Sequence, residues 1–347
     1  MPFCLKSTKP MISFYCLLIL CVIGLSTGAL APMTPSLRKD HHHSVLLMSD
    51  LDGTLIGDES NLQNFNSVWE SRERSVGSVL CYNTARSIRD CNPLFQTKAT
   101  REMNENIGRG TNSLHGGGAP NLIVPDVLIT AEGTEIRYCV DYDNAEFQVD
   151  EDWERQIREQ WWESGLAEKV EEICDPYDEG LIPSLNDIEN SPPRGEARYA
   201  ITVSTEEKAQ MVVQELQDKL AENCTIYSMA AWGSDPPPRL ICVLPALANK
   251  ANAAMFLRKK LGYESHRCIA AGDTLNDAPL LQTEIPFICV ANADQDLLKV
   301  AHKLEKPDLH FRASLPMAGG VLEGLSHFTN KLRGSALAAA TEVAVSC

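Results

Sequence analysis

Two acidic segments of this chain carry side chains whose types and spacing suit acid–base and metal chemistry. In the first, Asp50 and Asp52 lie two positions apart in Asp-Leu-Asp-Gly-Thr, directly after the apolar run 45–48. Residues i and i+2 of an extended chain point the same way, so both carboxylates can face one pocket. By itself this pattern is also compatible with an ordinary surface turn.

The second segment, 272–277, also follows an apolar run and contains Asp273 and Asp277. Carboxylates that cluster at one edge of a sheet repel one another unless a cation lies among them. A set of oxygen ligands without nitrogen or sulfur is the set that Mg²⁺ prefers. The two segments together therefore predict a magnesium site, which two unrelated turns would produce only by coincidence.

Three further residues offer the cations and donors that phosphoryl transfer requires. Lys250 begins a predicted helix that ends near Gly262, so its charge adds to that of a helix N-terminus. Thr84 follows another apolar run and offers a hydroxyl and a backbone N–H, with Arg86 close behind. Taken alone, Lys250 or Thr84 would be assigned to an ordinary surface position.

The candidate residues follow short apolar runs that are separated by helical stretches, a pattern typical of a doubly wound parallel sheet. The predicted strands of this sheet are 45–48, 79–82, 127–129, 268–271 and 287–290. Ligands of such sheets bind at the carboxyl ends of the strands, where the polar residues fall. The sequence therefore predicts an α/β protein with a doubly wound, Rossmann-like core.

Residues 141–246 follow a different pattern and predict an α+β insertion in that core. Its predicted elements are a helix near 153–173, strands at 198–203, 225–229 and 239–244, and a helix with Met211, Val212, Leu216 and Leu220 on one face. The core then comprises 41–140 and 247–330, followed by a C-terminal tail, 331–347. The polar segment 98–121 is expected to be a flexible surface loop.

The first forty residues have the composition of a targeting leader. Lys6 and Lys9 precede the apolar run 11–25, which small residues follow, as in a signal peptide. The run is shorter than the roughly 20 residues that span a bilayer, so we expect no stable membrane anchor in the mature chain, and a permanent anchor is the alternative. Residues 29–39 resemble the bipartite leader of algae with secondary plastids, which favours a plastid location; simple secretion is the alternative.

Charge and cysteine usage exclude other classes of function. The net charge of the 347-residue chain is −16, so a basic face for a nucleic acid is not expected. The 12 cysteines include no Cys-x-x-Cys pair, which argues against structural zinc. A small anionic substrate would need a local cation within this acidic chain, and Lys250 and the predicted metal would supply it.

Together these segments resemble the haloacid dehalogenase superfamily and, within it, the sucrose-phosphate phosphatase family. The segment 50–54, Thr84, Lys250 and the segment 272–277 occur in the order that is typical of the superfamily. The narrower likeness is carried by residues 61–70, 84–87, 133–136 and 318–321. The resemblance extends over about residues 45–330.

The resemblance implies a magnesium-dependent phosphatase in which the insertion 141–246 is a cap domain over the substrate. Asp50 would be the nucleophile that forms an aspartyl-phosphate, and Asp52 the general acid and base, while Thr84 and Lys250 hold the phosphoryl oxygens. The implied ligands of Mg²⁺ are Asp50, Asp52 through its backbone carbonyl, Asp273, Asn276 and Asp277. The implied substrate-binding residues are Arg86, Thr134 and Glu135.

The substrate that the resemblance implies is a sugar phosphate, with sucrose 6-phosphate preferred. Other glycosyl, hexose or polyol phosphates are alternatives, as are phosphomannomutase-like transfer and a non-catalytic role in sugar binding. The presence of both Asp50 and Asp52 argues against a pure binding role, because binding alone requires neither carboxylate.

Overall fold

The fold is described by a computed structural model over residues 44–99, 121–181, 197–230 and 236–345. The predicted leader, 1–40, and most of the predicted surface loop, 98–121, lie outside the described residues. Within the described ranges, no helix is long and apolar enough to cross a membrane.

A large, mostly parallel sheet forms the core of the protein. Its strands are β1 Leu46–Ser49, β2 Val79–Asn83, β3 Val127–Thr130, β4 Glu135–Asp141, β5 Glu146–Val149, and, after the insertion, β9 Cys268–Gly272, β10 Phe287–Cys289 and β11 His310–Arg312. Their order across the sheet is β11-β10-β9-β1-β2-β3-β4-β5. The strands from β11 to β3 in that order are parallel, and β4 and β5 are antiparallel. The predicted doubly wound α/β core is confirmed.

The parallel strands are continuous apolar runs because helices cover both faces of the sheet. On β1, Leu46 and Met48 belong to one buried cluster, whereas Leu47 belongs to the cluster on the opposite face. Leu46 pairs with Val79 of β2 and with Cys268 of β9, so the three strands end level with one another. This register brings the residues that follow β1, β2 and β9 to one edge of the sheet.

The helices pack against the two sheets, and their ends follow ordinary capping chemistry. They are α1 Glu59–Val68, α2 Ile88–Cys91, α3 Glu151–Arg158, α4 Leu166–Cys174, α5 Glu206–Leu220, α6 Lys250–Leu261, α7 Ala278–Leu281, α8 Gln295–Leu304 and α9 Met317–Val345. The side chain of Asn249 caps the start of α6 by accepting the N–H of Asn252 at 2.8 Å. Gly262, with φ 74°, ends α6, as the sequence predicts.

The core sheet extends beyond residue 141, the predicted start of the insertion. β5, Glu146–Val149, pairs with β4 in an antiparallel hairpin at the edge of the core sheet, so the insertion begins after it. The side chains of β5 are partly or fully exposed, so it lacks the apolar run that marks the central strands. Likewise, α9 runs through residue 331, where the sequence predicts that the core gives way to a tail.

The insertion contains a second, three-stranded antiparallel sheet. Its strands are β6 Tyr199–Val203, β7 Cys224–Ala230 and β8 Arg239–Pro245, in the order β6-β8-β7. Helices α4 and α5 pack on one face. The opposite face carries a small apolar cluster of Ala200, Leu240 and Cys242, with Tyr227 and Met229 packed against it.

Two helix predictions for the insertion need correction. The single helix near 153–173 is two helices, α3 and α4, because the chain takes the left-handed conformation at Gly165, with φ 71°. Met211 was expected on the buried face of α5, but it is 52% exposed. The buried stripe of α5 instead begins at Ala209 and continues through Val212, Leu216 and Leu220.

Candidate active site

The loop after β1 carries Asp50 at the carboxyl edge of the sheet. The backbone N–H of Asp50 donates to the carbonyl of Ala271 on β9 at 3.0 Å, and Asp50 is buried. Gly53 has φ 76°, and a Cβ at this position would lie 2.2 Å from Oδ2 of Asp273. Both the backbone conformation and the close approach therefore require glycine. Thr54 Oγ1 donates to Asp273 Oδ1 at 2.9 Å and joins the two acidic loops.

The carboxylates of three aspartates converge at this edge. One carboxylate oxygen from each of Asp50, Asp273 and Asp277 lies within 4.8 Å of the others, and all three residues are buried. The side chain of Lys250, which is fully buried, donates to Asp50 Oδ1 at 2.7 Å and to Asp277 Oδ1 at 2.8 Å. Lys250 thus joins the nucleophile candidate to the second acidic segment.

Burial and mutual repulsion perturb the ionisation of this cluster. Burial raises the pKa of Asp50 well above its ordinary value; Lys250 opposes this shift, and the charge of Asp277 adds to it. Burial, with a contribution from Asp277, also raises the pKa of Asp273 to about 6. Burial alone would lower the pKa of Lys250, but Asp277, Asp50 and Glu132 raise it well above its ordinary value. Several buried carboxylates against one ammonium group favour a further cation.

The donor set fits Mg²⁺ at Asp50 and Asp273, which offer carboxylate oxygens beside the Gly53 turn. Asp277 is engaged elsewhere. Its Oδ1 accepts from Lys250, and its Oδ2 accepts the backbone N–H groups of Asp273, at 3.1 Å, and Thr274, at 3.3 Å. Asp277 therefore shapes the loop and holds Lys250, which supports the site without requiring direct contact with a metal.

The other predicted metal ligands are placed differently. Asn276 Nδ2 donates to Glu132 Oε1 at 3.0 Å, and Asn276 Oδ1 accepts from Thr274 Oγ1 at 2.6 Å. The side chain of Asp52 is 54% exposed and accepts two hydrogen bonds from Arg86, both of 2.6 Å. The bidentate pair leaves only the backbone carbonyl of Asp52 for a role in metal binding.

Thr84 lies at the end of β2 and is buried, but one of its predicted donors is occupied. Its backbone N–H donates to the carbonyl of Ile129 at 3.0 Å. Its Oγ1 accepts the backbone N–H of Arg86 at 3.2 Å, which leaves the hydroxyl proton free to point toward a ligand. The backbone N–H of Thr84 is therefore already used within the sheet, and the hydroxyl is the group of Thr84 that remains available to a phosphoryl oxygen.

The two other predicted substrate-binding residues lie at the start of β4. Glu135 Oε2 accepts from Thr130 Oγ1 at 2.9 Å and from Arg137 Nε at 3.0 Å, which directs its carboxylate into a local network. Thr134 is buried, and its Oγ1 has no hydrogen-bond partner among the described residues. The carboxylate of Glu135 is therefore already hydrogen-bonded within the protein, whereas the hydroxyl of Thr134 remains available to a ligand.

Sequence reasoning missed two residues that support the site. Glu132 is 3% exposed and bonds Asn276 across the site. Asn292 Nδ2 donates to the carbonyl of Gly53 at 2.8 Å, and its Oδ1 accepts the N–H of Met317 at 2.9 Å, so it ties the loop that carries Asp50 to α9. Their only sequence signal is a position just after a predicted strand, which many structural residues share.

The insertion reaches the site through Arg198, just before β6. Its Nη1 donates to the carbonyl of Ala85 at 2.9 Å, in the loop between Thr84 and Arg86. Burial has the largest effect on the pKa of the Tyr227 hydroxyl on β7 and raises it. The charge of Glu132 raises this pKa further, and the charge of Lys250 lowers it. Ala200 pairs with Cys242, and Cys242 pairs with Tyr227, so the face of the small sheet that bears Tyr227 is the face that follows Arg198 toward the loop after β2, in the position expected of a cap.

Comparisons with known proteins agree with this architecture. The family model described as sucrose-6F-phosphate phosphohydrolase matches residues 43–101 and 108–329. An Arabidopsis thaliana protein named "Probable sucrose-phosphatase 3b" is 25% identical over 84% of this chain, which spans 61% of that relative's length. The mannosylfructose-phosphate phosphatase of Agrobacterium fabrum is 24% identical over 82% of this chain and 96% of its own.

A solved structure shows the same fold. The X-ray structure of the sucrose-phosphatase from Synechocystis sp. PCC6803, in complex with sucrose and phosphate, superposes with a TM-score of 0.60. It is 24% identical and covers 82% of this chain and 98% of that protein.

Proposed function

The chain belongs to the sucrose-6F-phosphate phosphohydrolase family, a family of phosphatases, and from this membership we propose that it hydrolyses sucrose 6-phosphate to sucrose and phosphate. The observation that carries the proposal is the buried ammonium of Lys250, 2.7 Å from Asp50 and 2.8 Å from Asp277. This arrangement combines a carboxylate nucleophile with a fixed cation, which phosphoryl transfer requires.

In the first step, a carboxylate oxygen of Asp50 forms a bond to phosphorus as the bond between phosphorus and the sugar oxygen breaks. Lys250 favours the ionised form of Asp50 against the effect of burial. Asp52 donates a proton to the departing sugar oxygen. Because Arg86 holds the Asp52 carboxylate in the free enzyme, Asp52 must exchange this ion pair for a proton when substrate binds. Arg86 is then free to contact the substrate.

In the second step, Asp52, again a carboxylate, takes a proton from water as the water oxygen attacks phosphorus. The bond between phosphorus and Asp50 breaks, which releases phosphate and restores the Asp50 carboxylate. The hydroxyl of Thr84 donates to a phosphoryl oxygen in both steps, because its other interactions leave the proton available.

Asp50 and Asp273 would hold Mg²⁺, with the backbone carbonyl of Asp52, while Asp277 and Asn276 support the loop that carries Asp273. When bound, Mg²⁺ supplies positive charge beside the phosphoryl group and offsets the repulsion among the carboxylates. The raised pKa values of Asp50 and Asp273 favour this reading, because a cation stabilises the ionised forms that burial penalises.

Phosphate release from a panel of esters tests the proposal. With Mg²⁺, we expect the highest kcat/KM for sucrose 6-phosphate among sucrose 6-phosphate, trehalose 6-phosphate and glucose 6-phosphate. If kcat/KM is at least tenfold higher for another ester of the panel, the assignment of sucrose 6-phosphate is wrong, but the proposed hydrolysis of a phosphate ester is supported. If wild type and Asp50→Asn are equally inactive on every member, the catalytic role is wrong and sugar binding without turnover replaces it.

A second candidate is the phosphate of another disaccharide. The match to the mannosylfructose-phosphate phosphatase covers nearly the whole length of that protein. The plant relative, in contrast, is longer than this chain, and the match covers 61% of it. Adding mannosylfructose phosphate to the panel separates the two candidates, because each predicts a different preferred ester.

We also propose that the leader directs the chain to a plastid, on the strength of the small-residue and basic stretch at 29–39. A fluorescent protein fused behind residues 1–40 should enter the plastid of an alga with secondary plastids. Secretion of the fusion would show that the leader is a simple signal peptide.

A further inference from the structure

Glu132 adopts a backbone conformation that glutamate rarely takes. Ala131, Glu132 and Gly133 have φ values of 48°, 59° and 94°, so three consecutive residues are left-handed. Only glycine, and to a lesser degree Asn and Asp, tolerates this region readily. Strain of this kind persists only where the surrounding structure imposes it, and it is concentrated at functional sites.

The surrounding structure fixes this turn from two sides. The N–H of Ala131 donates to the carbonyl of Arg86 at 2.8 Å, and the N–H of Glu132 donates to the carbonyl of Thr84 at 3.2 Å. On the other side, a Cβ at Gly133 would lie 2.5 Å from the carbonyl oxygen of Asn249. The turn is thus packed between the loop after β2 and the start of α6, and it directs the Glu132 side chain into the site.

The carboxylate of Glu132 is buried without a paired cation. Its hydrogen-bond partner is the amide of Asn276, at 3.0 Å, and no ion pair joins it within the part of the chain that the structure describes. A negative charge at this place would repel a phosphoryl group rather than attract it. It is therefore suited to the other half of the substrate, since a carboxylate accepts hydrogen bonds from hydroxyl groups.

The cap places a complementary donor over the same region. Tyr227, on β7, has a buried hydroxyl that makes no hydrogen bond to any described residue. Tyr227 shares its face of the small sheet with Ala200 and Cys242. That face meets the core where Arg198 bonds the carbonyl of Ala85, next to the Thr84 carbonyl that accepts the Glu132 N–H. The charge of Glu132 also raises the pKa of the Tyr227 hydroxyl, after the larger effect of burial. A buried hydroxyl without a partner is costly, and a ligand that supplies an oxygen atom would remove that cost.

We propose that Glu132 and Tyr227 form two sides of a subsite for the sugar leaving group. Glu132 accepts hydrogen bonds from sugar hydroxyls, and Tyr227 donates one to a sugar oxygen. The inference rests on the proposed phosphatase activity and deepens it by naming residues that select a hydroxyl-rich leaving group. It also gives a role to a glutamate that lies in a left-handed turn beside an acidic cluster.

Glu132→Gln and Tyr227→Phe test this subsite on two substrates: the sugar phosphate that wild type hydrolyses best, and p-nitrophenyl phosphate, which has no sugar hydroxyls. We expect the ratio of kcat/KM for the sugar phosphate to that for p-nitrophenyl phosphate to fall about tenfold in each variant, the size expected for one lost hydrogen bond. The fall should lie mostly in KM for the sugar phosphate. If both substrates lose activity in parallel, Glu132 acts only by positioning Asn276, and the subsite is wrong.

Two matched variants control for generic effects. Tyr199→Phe removes a phenol that bonds Asp175 rather than facing the site, and Glu305→Gln neutralises another left-handed glutamate, which is exposed at the end of α8. Neither should change the selectivity ratio, and a tenfold change in either would overturn the interpretation.

A binding measurement separates failure of the subsite from failure of the proposed function. If wild type releases phosphate from neither substrate, the phosphatase proposal fails. Calorimetric titration of sucrose in the presence of inorganic phosphate then tests the subsite alone. Weaker binding by at least fivefold in Glu132→Gln and Tyr227→Phe would support it, whereas equal binding in all three proteins, or none to wild type, would overturn it.

Discussion

The catalytic edge of the core and the facing side of the cap are built in opposite ways. In the core, Lys250 joins Asp50 and Asp277, and Thr54 holds Asp273, so the buried aspartates are already paired. On the cap, the apolar cluster is small, and the hydroxyl of Tyr227 has no partner within the described ranges. The core is preorganised for a reaction that all phosphate esters share, while the cap retains hydrogen-bonding capacity for one leaving group.

The largest expected effect lies in the core, at Asp50. Asp50→Asn preserves shape but removes the nucleophilic carboxylate, so kcat should fall at least about 10³-fold on every ester. Phosphate release under saturating substrate and Mg²⁺ measures this loss. Asp308→Asn, at a side chain that is 90% exposed, should have wild-type kcat. Activity of Asp50→Asn within tenfold of wild type would show that Asp50 is not the nucleophile.

Lys250→Ala should produce the next largest effect, on stability. It leaves Asp50 and Asp277 buried without their shared cation, so the free energy of unfolding without Mg²⁺ should fall by about 3–5 kcal/mol. Urea denaturation measures this value. The matched variant, Lys299→Ala, removes an exposed lysine that bonds the exposed Asp296, and it should cost at most about 0.5 kcal/mol. Equal losses of unfolding free energy in the two variants would show that the buried ion pairs of Lys250 contribute no more to stability than an exposed pair.

The ionisation of Asp273 predicts how pH acts on the core site. Its folded pKa of about 6 lies above the ordinary value of 3.8, so the folded state binds this proton more tightly than the unfolded state. Without metal, this contribution to stability is fully present below pH 3.8 and is lost as pH rises through 6. Mg²⁺ must displace the proton, so its affinity should fall roughly tenfold per pH unit below 6.

Titration of Mg²⁺ followed by thermal unfolding, at pH 5 and at pH 7.5, checks the prediction. Asp273→Asn should abolish most of the pH dependence along with most of the affinity. An affinity that does not change between the two pH values would show that Asp273 is ionised throughout and that its burial is offset by another group. Chelation of Mg²⁺ should also stop turnover at pH 7.5.

The smallest expected effect concerns the contact between cap and core. Arg198→Ala removes the hydrogen bond to the carbonyl of Ala85, so kcat/KM should fall about three- to tenfold, with little change in the unfolding temperature. Arg239→Ala serves as control, because Arg239 bonds Ser228 within the cap. Equal falls in the two variants would indicate general damage to the cap rather than loss of its contact with the core.

Much of the core followed from sequence periodicity. Continuous apolar runs marked β1, β2, β3, β9 and β10, because strands covered on both faces exclude polar residues. The parallel register then brought Asp50 and Asp273 to one edge. The edge strand β5 was not predicted, because its side chains are partly or fully exposed and its polar residues resemble those of the insertion.

The sequence by itself determined the class of fold, the family and the two acidic loops, since each depends on residues close together in the chain. Only the tertiary structure decided which groups pair. Glu132 meets Asn276 across 144 positions, and Lys250 meets Asp50 across 200. Such contacts depend on how strands and helices pack, so local patterns of hydrophobicity do not predict them. The aspartates of this site could be predicted from the sequence, whereas their hydrogen-bond and ion-pair partners are determined by the tertiary structure.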